Sequence, residues 1–277
     1  MLPVGAPAVR VIATDLDGTL LGDDGLVSEG NAAALCAARD AGITVVAATG
    51  RSRMTSVPLL EPCGAVAVAV CSNGAVIHDP NRHETLHTRP IGADALAGLV
   101  DRLCRALPGV GFGWELEGRF SWDEAFVRMR PRADARRVLG GESDPWPDFT
   151  IEPVFKVLVQ HPDLERDALL AAIVEHAPAQ VTVAASGATF VEVTGDGVDK
   201  ASGLAWVCDR LGVDRRDVLA VGDHVNDLAM LGWAGHAVAM ANAHPAVLAV
   251  TDRRAPSNVD DGVATLVAEV IAADAAP

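Results

Sequence analysis

Five short runs of this chain are apolar almost end to end instead of alternating. They are Val9–Thr14, Ile43–Ala48, Ala65–Val70, Asp217–Val221 and His236–Met240, and they are built mainly from valine, isoleucine and alanine. A strand with one wet face alternates polar and apolar residues, whereas a strand buried on both faces reads as a continuous apolar run. Helix signals separate the runs. Ser28 is an N-cap for a helix over Glu29–Ala41 that stops at Gly42, and further helices are predicted over Lys200–Leu211, from near Asn226, and over Gly262–Ala272. Strands of this kind interleaved with helices demand a parallel sheet covered on both sides, an α/β, doubly wound, Rossmann-like core.

The middle of the chain has a different rhythm. Short strand candidates crowd between about Ala75 and Val193: Ala75–His78, Thr85–Thr88, Val110–Glu115, Arg119–Trp122, Phe155–His161, Val181–Ala185 and Thr189–Val193. Two helices, Ala93–Leu107 and Asp163–His176, interrupt them, and turn signals include Asp79-Pro80-Asn81, Glu117-Gly118 and Ser186-Gly187. This pattern predicts an α+β unit with a largely antiparallel sheet. Arg130–Asp148, rich in proline and glycine, reads as a surface excursion. The expected organisation is a core of residues 1–80 and 190–277, split by an inserted domain of residues 81–189.

Composition narrows the function. Against 22 basic residues stand 37 acidic ones, a formal net charge of -15. Such a field repels nucleic acid and anionic membranes, and any phosphorylated ligand requires a local cation. Five scattered cysteines form no Cys-x-x-Cys pair, which argues against a disulfide framework or a zinc site and fits a reducing cytoplasm. The first residues lack a basic flank and a long apolar stretch, so no signal peptide is expected, and the apolar runs are too short to span a bilayer.

Four segments carry chemistry. Thr14-Asp15-Leu16-Asp17-Gly18-Thr19 follows the first apolar run. Ligands bind at the carboxyl ends of strands in open α/β sheets, and two anions crowded there repel unless a divalent cation offsets them. The alternative is a plain Asx turn. Thr49-Gly50-Arg51 follows the second run and either holds phosphate oxygens or caps a helix. Lys200 opens a helix, where the macrodipole disfavours it, and either neutralises an anion or is solvated. Gly222-Asp223-His224-Val225-Asn226-Asp227 follows the fourth run and offers hard oxygen ligands for magnesium, or a capped turn.

In that order the four motifs resemble the haloacid dehalogenase superfamily of phosphotransferases. The insertion between Ser72-Asn73-Gly74 and Lys200, with Leu228-Ala229-Met230-Leu231 after the last motif, resembles its Cof-type branch (subfamily IIB) with a C2B cap. The resemblance implies an Mg2+-dependent phosphatase of small phosphomonoesters, such as sugar phosphates or phosphorylated cofactors, working through a phospho-aspartate. It implies Asp15 as nucleophile and Asp17 as general acid and base. It implies magnesium on the Asp15 carboxylate, the Asp17 backbone carbonyl and the Asp223 carboxylate, with Asp227 in support. Lys200, Asn226, Thr49 and Gly50 are implied to hold the phosphoryl group. Related cation-pumping ATPases carry threonine at the position of Asp17, and an aspartate there favours prompt hydrolysis.

His224 departs from the family, which usually has a smaller residue there; it could touch substrate, tune a carboxylate or face solvent. His78, His83 and His87 read as linker residues between core and cap. In the cap, Trp114, Arg119, Trp122 and Arg128 are candidate substrate contacts, with sheet packing and solvation as their structural alternatives. The expected partner is a small phosphorylated metabolite, with the chain acting as a monomer or homodimer in the cytoplasm. A phosphotransferase or phosphomutase on the same scaffold, or a non-catalytic ligand-binding protein, are the rival classes.

Overall fold

A computed structural model describes residues 9–129, 145–185 and 189–274. Most of the Arg130–Asp148 excursion and the Ser186-Gly187 turn lie outside the described residues. The chain divides into two compact units, one formed by residues up to His87 and from Asp199 onward, the other by Thr88–Val198. The divisions fall at 87/88 and 198/199 instead of 80/81 and 189/190.

The first unit starts with β1 (Val11–Thr14), α1 (Glu29–Asp40), β2 (Thr44–Ala48), α2 (Arg53–Leu60), β3 (Val66–Cys71), β4 (Val76–Asp79) and β5 (Glu84–Thr88). The second contains α3 (Ala93–Ala106), β6 (Gly111–Leu116), β7 (Arg119–Trp122), α4 (Glu124–Met129), β8 (Val154–Gln160), α5 (Arg166–His176), β9 (Val181–Ala185) and β10 (Val191–Gly195). The first unit then resumes with α6 (Lys200–Leu211), β11 (Val218–Gly222), α7 (Leu228–Trp233), β12 (His236–Met240), α8 (Pro245–Leu248), β13 (Arg254–Ala255) and α9 (Gly262–Asp274).

Among the described residues of the first unit, eight strands form one sheet in the order β13-β12-β11-β1-β2-β3-β4-β5. The pairs from β13 to β3 are parallel, and β3 with β4 is antiparallel. Every residue of β1 and β11 is buried, which is why both read as apolar runs. The chain winds outward from β1 through β2 and β3 and later restarts on the other side of β1 with β11. The β1/β11 boundary is therefore the switch point of the sheet, where a doubly wound fold opens its ligand crevice.

Val76–Asp79, counted among the short strands of the middle but inside the expected 1–80 core, does extend the core sheet at its edge, and Glu84–Thr88, expected in the insertion, extends it further. Their histidines belong to the core unit too. His78 Nδ1 lies 3.4 Å from Thr85 Oγ1, His83 pairs with Glu61 at 3.4 Å, and His87 stacks on Trp206 with ring centres 5.0 Å apart. Conversely Val191–Val193, counted among the strands of the middle unit but left inside the expected 190–277 core, pairs with β8 and β9 in the other unit.

The second unit is an antiparallel sheet, in the order β7-β6-β8-β10-β9 among the described residues. On one face α3 and α5 bring Leu96, Leu99, Leu103, Leu169 and Ile173 against Phe112, Trp114, Val157, Val159, Val191 and Val193. On the other, Trp122, Phe126 and Leu158 form a smaller cluster. Trp114 and Trp122 are thus core residues. Arg119 pairs with Glu152, and Arg128 pairs with Glu124 one helical turn away at 3.3 Å. Packing and ion pairing account for all four cap candidates.

Candidate active site

Three neighbouring parallel strands, β11, β1 and β2, end at the same edge of the sheet, and the next residues are Asp223, Asp15 and Thr49. The Asp15 N–H still donates to Val221 O across that edge (3.0 Å), so its backbone is fixed by the sheet itself. After Asp15 the chain must turn sharply. Gly18 makes the turn with φ 76°, and a Cβ there would collide with the Asp223 carboxylate. Thr19, fully buried, donates its hydroxyl to Asp223 Oδ1 at 2.9 Å. The loop after β1 and the loop after β11 are thereby locked together.

Lys200 is the first residue of α6, behind an N-cap and capping box made by Asp199 and Ser202. Its ammonium is 1 % exposed and donates to Asp15 Oδ1 and to Asp227 Oδ1, each at 2.6 Å. The second Asp227 oxygen accepts the backbone N–H groups of Asp223 and His224, both at 2.9 Å. Gly222 leaves room for it, because a Cβ would come within 2.5 Å of the Asp227 carboxyl carbon. Asp227 is spent on positioning; Asp15 and Asp223 each turn one oxygen away from Lys200 and Thr19, and the two acids lie within hydrogen-bonding reach of each other.

The electrostatics have one root. Two buried carboxylates, Asp15 and Asp227, flank a single ammonium, with the half-buried Asp223 beside them, so negative charge remains that nothing among them compensates. Burial, then Asp227, push the Asp15 carboxyl well above the usual carboxylate range, with Asp223 adding to this and Lys200 opposing it. Burial, then Asp227, raise Asp223 to about 6. Burial alone would lower the Lys200 ammonium, but Asp15 and Asp227 outweigh it, and the net direction is upward.

Oxygens of Asp15, Asp223 and Asp227 all lie within 4.8 Å of one another, a grouping able to hold a metal ion. Hard carboxylate oxygens with excess negative charge suit magnesium. Since both Asp227 oxygens already carry hydrogen bonds, the pair that fits the ion is Asp15 and Asp223.

The remaining sequence candidates surround this cluster. Thr49 is fully buried, and its Oγ1 accepts the Arg51 N–H at 3.0 Å, leaving the hydroxyl proton for another acceptor. Gly50 follows it between β2 and α2. Asn226 lies in the 3₁₀ turn Val225–Asp227 and donates Nδ2 to Asn73 Oδ1 at 3.3 Å. Asp17 stands apart from the buried cluster: it is more than half exposed and its carboxylate is gripped by Arg51. His224 caps the 3₁₀ turn, and its ring faces that of His244 at 5.5 Å.

Several residues that support the site have no role in the sequence reading, Ser72 and Asn73 entering it only as the start of the insertion. Asn73 and Ser72 both take left-handed backbone conformations (φ 53° each) in the Ser72–Gly74 turn after β3. Asn242 donates to Gly18 O at 2.8 Å, and the His244 N–H donates to Asp223 O at 2.8 Å. Asn242 and His244 both follow β12. The rule that ligands sit at strand carboxyl ends, applied to every parallel strand, would have flagged them.

The family model for haloacid dehalogenase-like hydrolases matches residues 12–267. The chain belongs to this family. It is 30% identical over 259 residues, covering 92% of this chain and 93% of its relative, to the 5-amino-6-(5-phospho-D-ribitylamino)uracil phosphatase YcsE of Bacillus subtilis (strain 168). It is 27% identical over 273 residues, covering 93% and 97% of the two chains, to the pyridoxal phosphate phosphatase YbhA of Escherichia coli (strain K12). Among solved structures, a phosphatase of the haloalkanoate superfamily from Bacteroides thetaiotaomicron superposes with a TM-score of 0.81 at 23% identity over 98% of both chains. That likeness supports the shared fold. Among the described residues, no helix is long and apolar enough to cross a membrane.

Proposed function

We propose that this family member is a magnesium-dependent phosphatase of small phosphomonoesters that works through a phosphorylated Asp15. The observation that carries the reading is the Lys200 ammonium held 2.6 Å from Asp15, beside Asp223, at the switch point of the sheet. Phosphoryl transfer needs in-line positioning and charge neutralisation above all. Both are supported here, by a nucleophile whose backbone is fixed to the sheet and by a buried ammonium.

When bound, magnesium screens the repulsion between an anionic phosphate and the Asp15 carboxylate, and Asp15, Asp223 and the Asp17 backbone carbonyl are the groups assigned to hold it. The protein supplies the rest. Lys200 holds Asp15 by one oxygen, leaving the other to attack phosphorus while the bond to the leaving oxygen breaks. Thr49, Gly50 and Asn226 receive the equatorial oxygens, for which the Thr49 hydroxyl and the Asn226 amide are donors. Asp17 gives its proton to the leaving oxygen, then takes one from the water that displaces phosphate from Asp15. Asp227 holds Lys200 and the Asp223 loop in place. We assign choice of substrate to the second unit, acting as a cap, within the class of sugar phosphates and phosphorylated cofactors, and action in a reducing cytoplasm, consistent with five free thiols.

A panel of phosphomonoesters tests the reading, with inorganic phosphate release measured in magnesium and in chelator. Release that depends on magnesium is expected. Transfer of the phosphoryl group to a sugar hydroxyl without free phosphate would make the protein a phosphotransferase. Tight binding without turnover would make it a ligand-binding protein.

A further inference from the structure

Arg51 closes on Asp17 as a two-pronged fork. Its Nε donates to Asp17 Oδ2 at 2.7 Å and its Nη2 to Asp17 Oδ1 at 2.5 Å. The base of the fork is fixed on both sides. The Arg51 N–H donates to Thr49 Oγ1 at 3.0 Å, the Arg51 carbonyl accepts from the Ser72 N–H at 2.8 Å, and Ser52 immediately begins α2 as its N-cap. Asp17 is bridged to Leu21 through its backbone, and its carboxylate is held by Arg51. It sits on the exposed side of the turn after β1, where an aspartate would otherwise sample several rotamers. An ion pair this exposed contributes little stability, so its consequence is geometric.

Resting on the reading of Asp17 as the proton carrier, we propose that Arg51 is a positioning residue for the proton-transfer half of the reaction. The planar guanidinium selects one carboxylate orientation, which a single ammonium on a flexible stem cannot do. As the phosphorus–leaving-oxygen bond breaks, the proton passes from the Asp17 carboxyl to that oxygen, and the line of that transfer is set by the orientation the fork holds. In the second half the water oxygen bonds to phosphorus, its proton goes to Asp17, and the bond from Asp15 to phosphorus breaks. Free phosphate leaves and Asp17 is again protonated.

Leaving groups of different basicity give the test. An alkyl phosphate expels a basic alkoxide and needs the proton, whereas p-nitrophenyl phosphate expels a stable phenolate and does not. For Arg51→Met and Arg51→Lys, kcat/KM on an alkyl phosphate should fall by about tenfold or more, while kcat/KM on p-nitrophenyl phosphate falls by less than about threefold. Asp17→Asn should show the same selectivity, more strongly. Equal losses on both substrates would assign Arg51 to phosphate binding and overturn the proposal, as would no loss on either. If Asp17→Asn itself hydrolyses the alkyl ester like the unaltered protein, the reading of Asp17 fails and takes this proposal with it. An impaired Asp17→Asn beside unselective Arg51 variants refutes the proposal alone. Because the Arg51 side chain is one-third exposed, both substitutions should leave the thermal transition in place.

Discussion

Each unit of this molecule buries a lysine between two carboxylates, and the two lysines sit in different kinds of place. Lys200 lies 2.6 Å from both Asp15 and Asp227 at the carboxyl ends of the parallel strands. Lys156 lies 2.9 Å from Glu192 and 3.6 Å from Glu115 in the middle of the antiparallel sheet, where the three residues come from the adjacent strands β10, β8 and β6. Both ammonium groups are almost wholly buried, and in both the flanking carboxylates overcome burial and raise the lysine. In mid-sheet the three side chains stand off one face of paired strands, each 5 % exposed or less, so the charges are met by one another out of water. At the strand ends the backbone belongs to loops, and a third acid, Asp223, adds charge that a ligand can satisfy. Equivalent ion chemistry is therefore structural in one unit and available for work in the other.

Replacing the two lysines is the sharpest way to break this contrast. Lys200→Met should lower turnover by about 10²–10³-fold, the usual cost of removing one preorganised donor from a transition state. It should do so at temperatures where the variant is still folded, as circular dichroism would verify. Lys156→Met should leave turnover per folded molecule nearly unchanged and instead lose about 3–5 kcal/mol of stability in denaturant unfolding, because two buried carboxylates lose their cation. Replacing Glu115, Lys156 and Glu192 together by methionine should recover most of that loss. A folded Lys156→Met protein as inactive as Lys200→Met would erase the distinction.

A smaller effect comes from pH. Burial and Asp227 raise Asp223 from 3.8 to about 6, so between those values the folded protein binds more protons there than the unfolded chain. Stability of the metal-free protein then falls as pH rises through this window. Magnesium relieves the repulsion only where the acids are ionised. Its thermal stabilisation should therefore be larger, by roughly 5 °C, at about pH 7.5 than at about pH 5. Equal shifts at the two values would show that the ion binds away from the acidic cluster.

The parallel half of the core, and the gathering of Asp15, Thr49 and Asp223 at its edge, were legible because their signals are local. Continuous apolar runs end in Asp15, Thr49 and Asp223, and one topological rule brings those ends together. Pairing partners were less legible. The Glu84–Thr88 strand has exposed residues and follows a turn like those of the antiparallel unit, so nothing in its own sequence assigns it to the core sheet. The helix over Arg53–Leu60 was foreseen only as the capping alternative at Thr49-Gly50-Arg51 and given no range, because it is short and carries Pro58 inside, a residue that ordinarily ends a helix. The fork of Arg51 on Asp17 joins residues 34 positions apart through loop geometry, and no spacing rule encodes that. The same holds for Asn73 with Asn226, which needs two consecutive left-handed residues at Ser72 and Asn73.

The central claim is that the strand-end cluster transfers a phosphoryl group through Asp15. Rapid acid quench of the protein turning over a radiolabelled phosphomonoester, followed by peptide mapping, tests it directly. The label should appear on the peptide containing Asp15, and Asp15→Asn should carry none while losing at least about 10⁴-fold in turnover. Label on another residue, or an Asp15→Asn protein that still turns over at the unaltered rate, would contradict it.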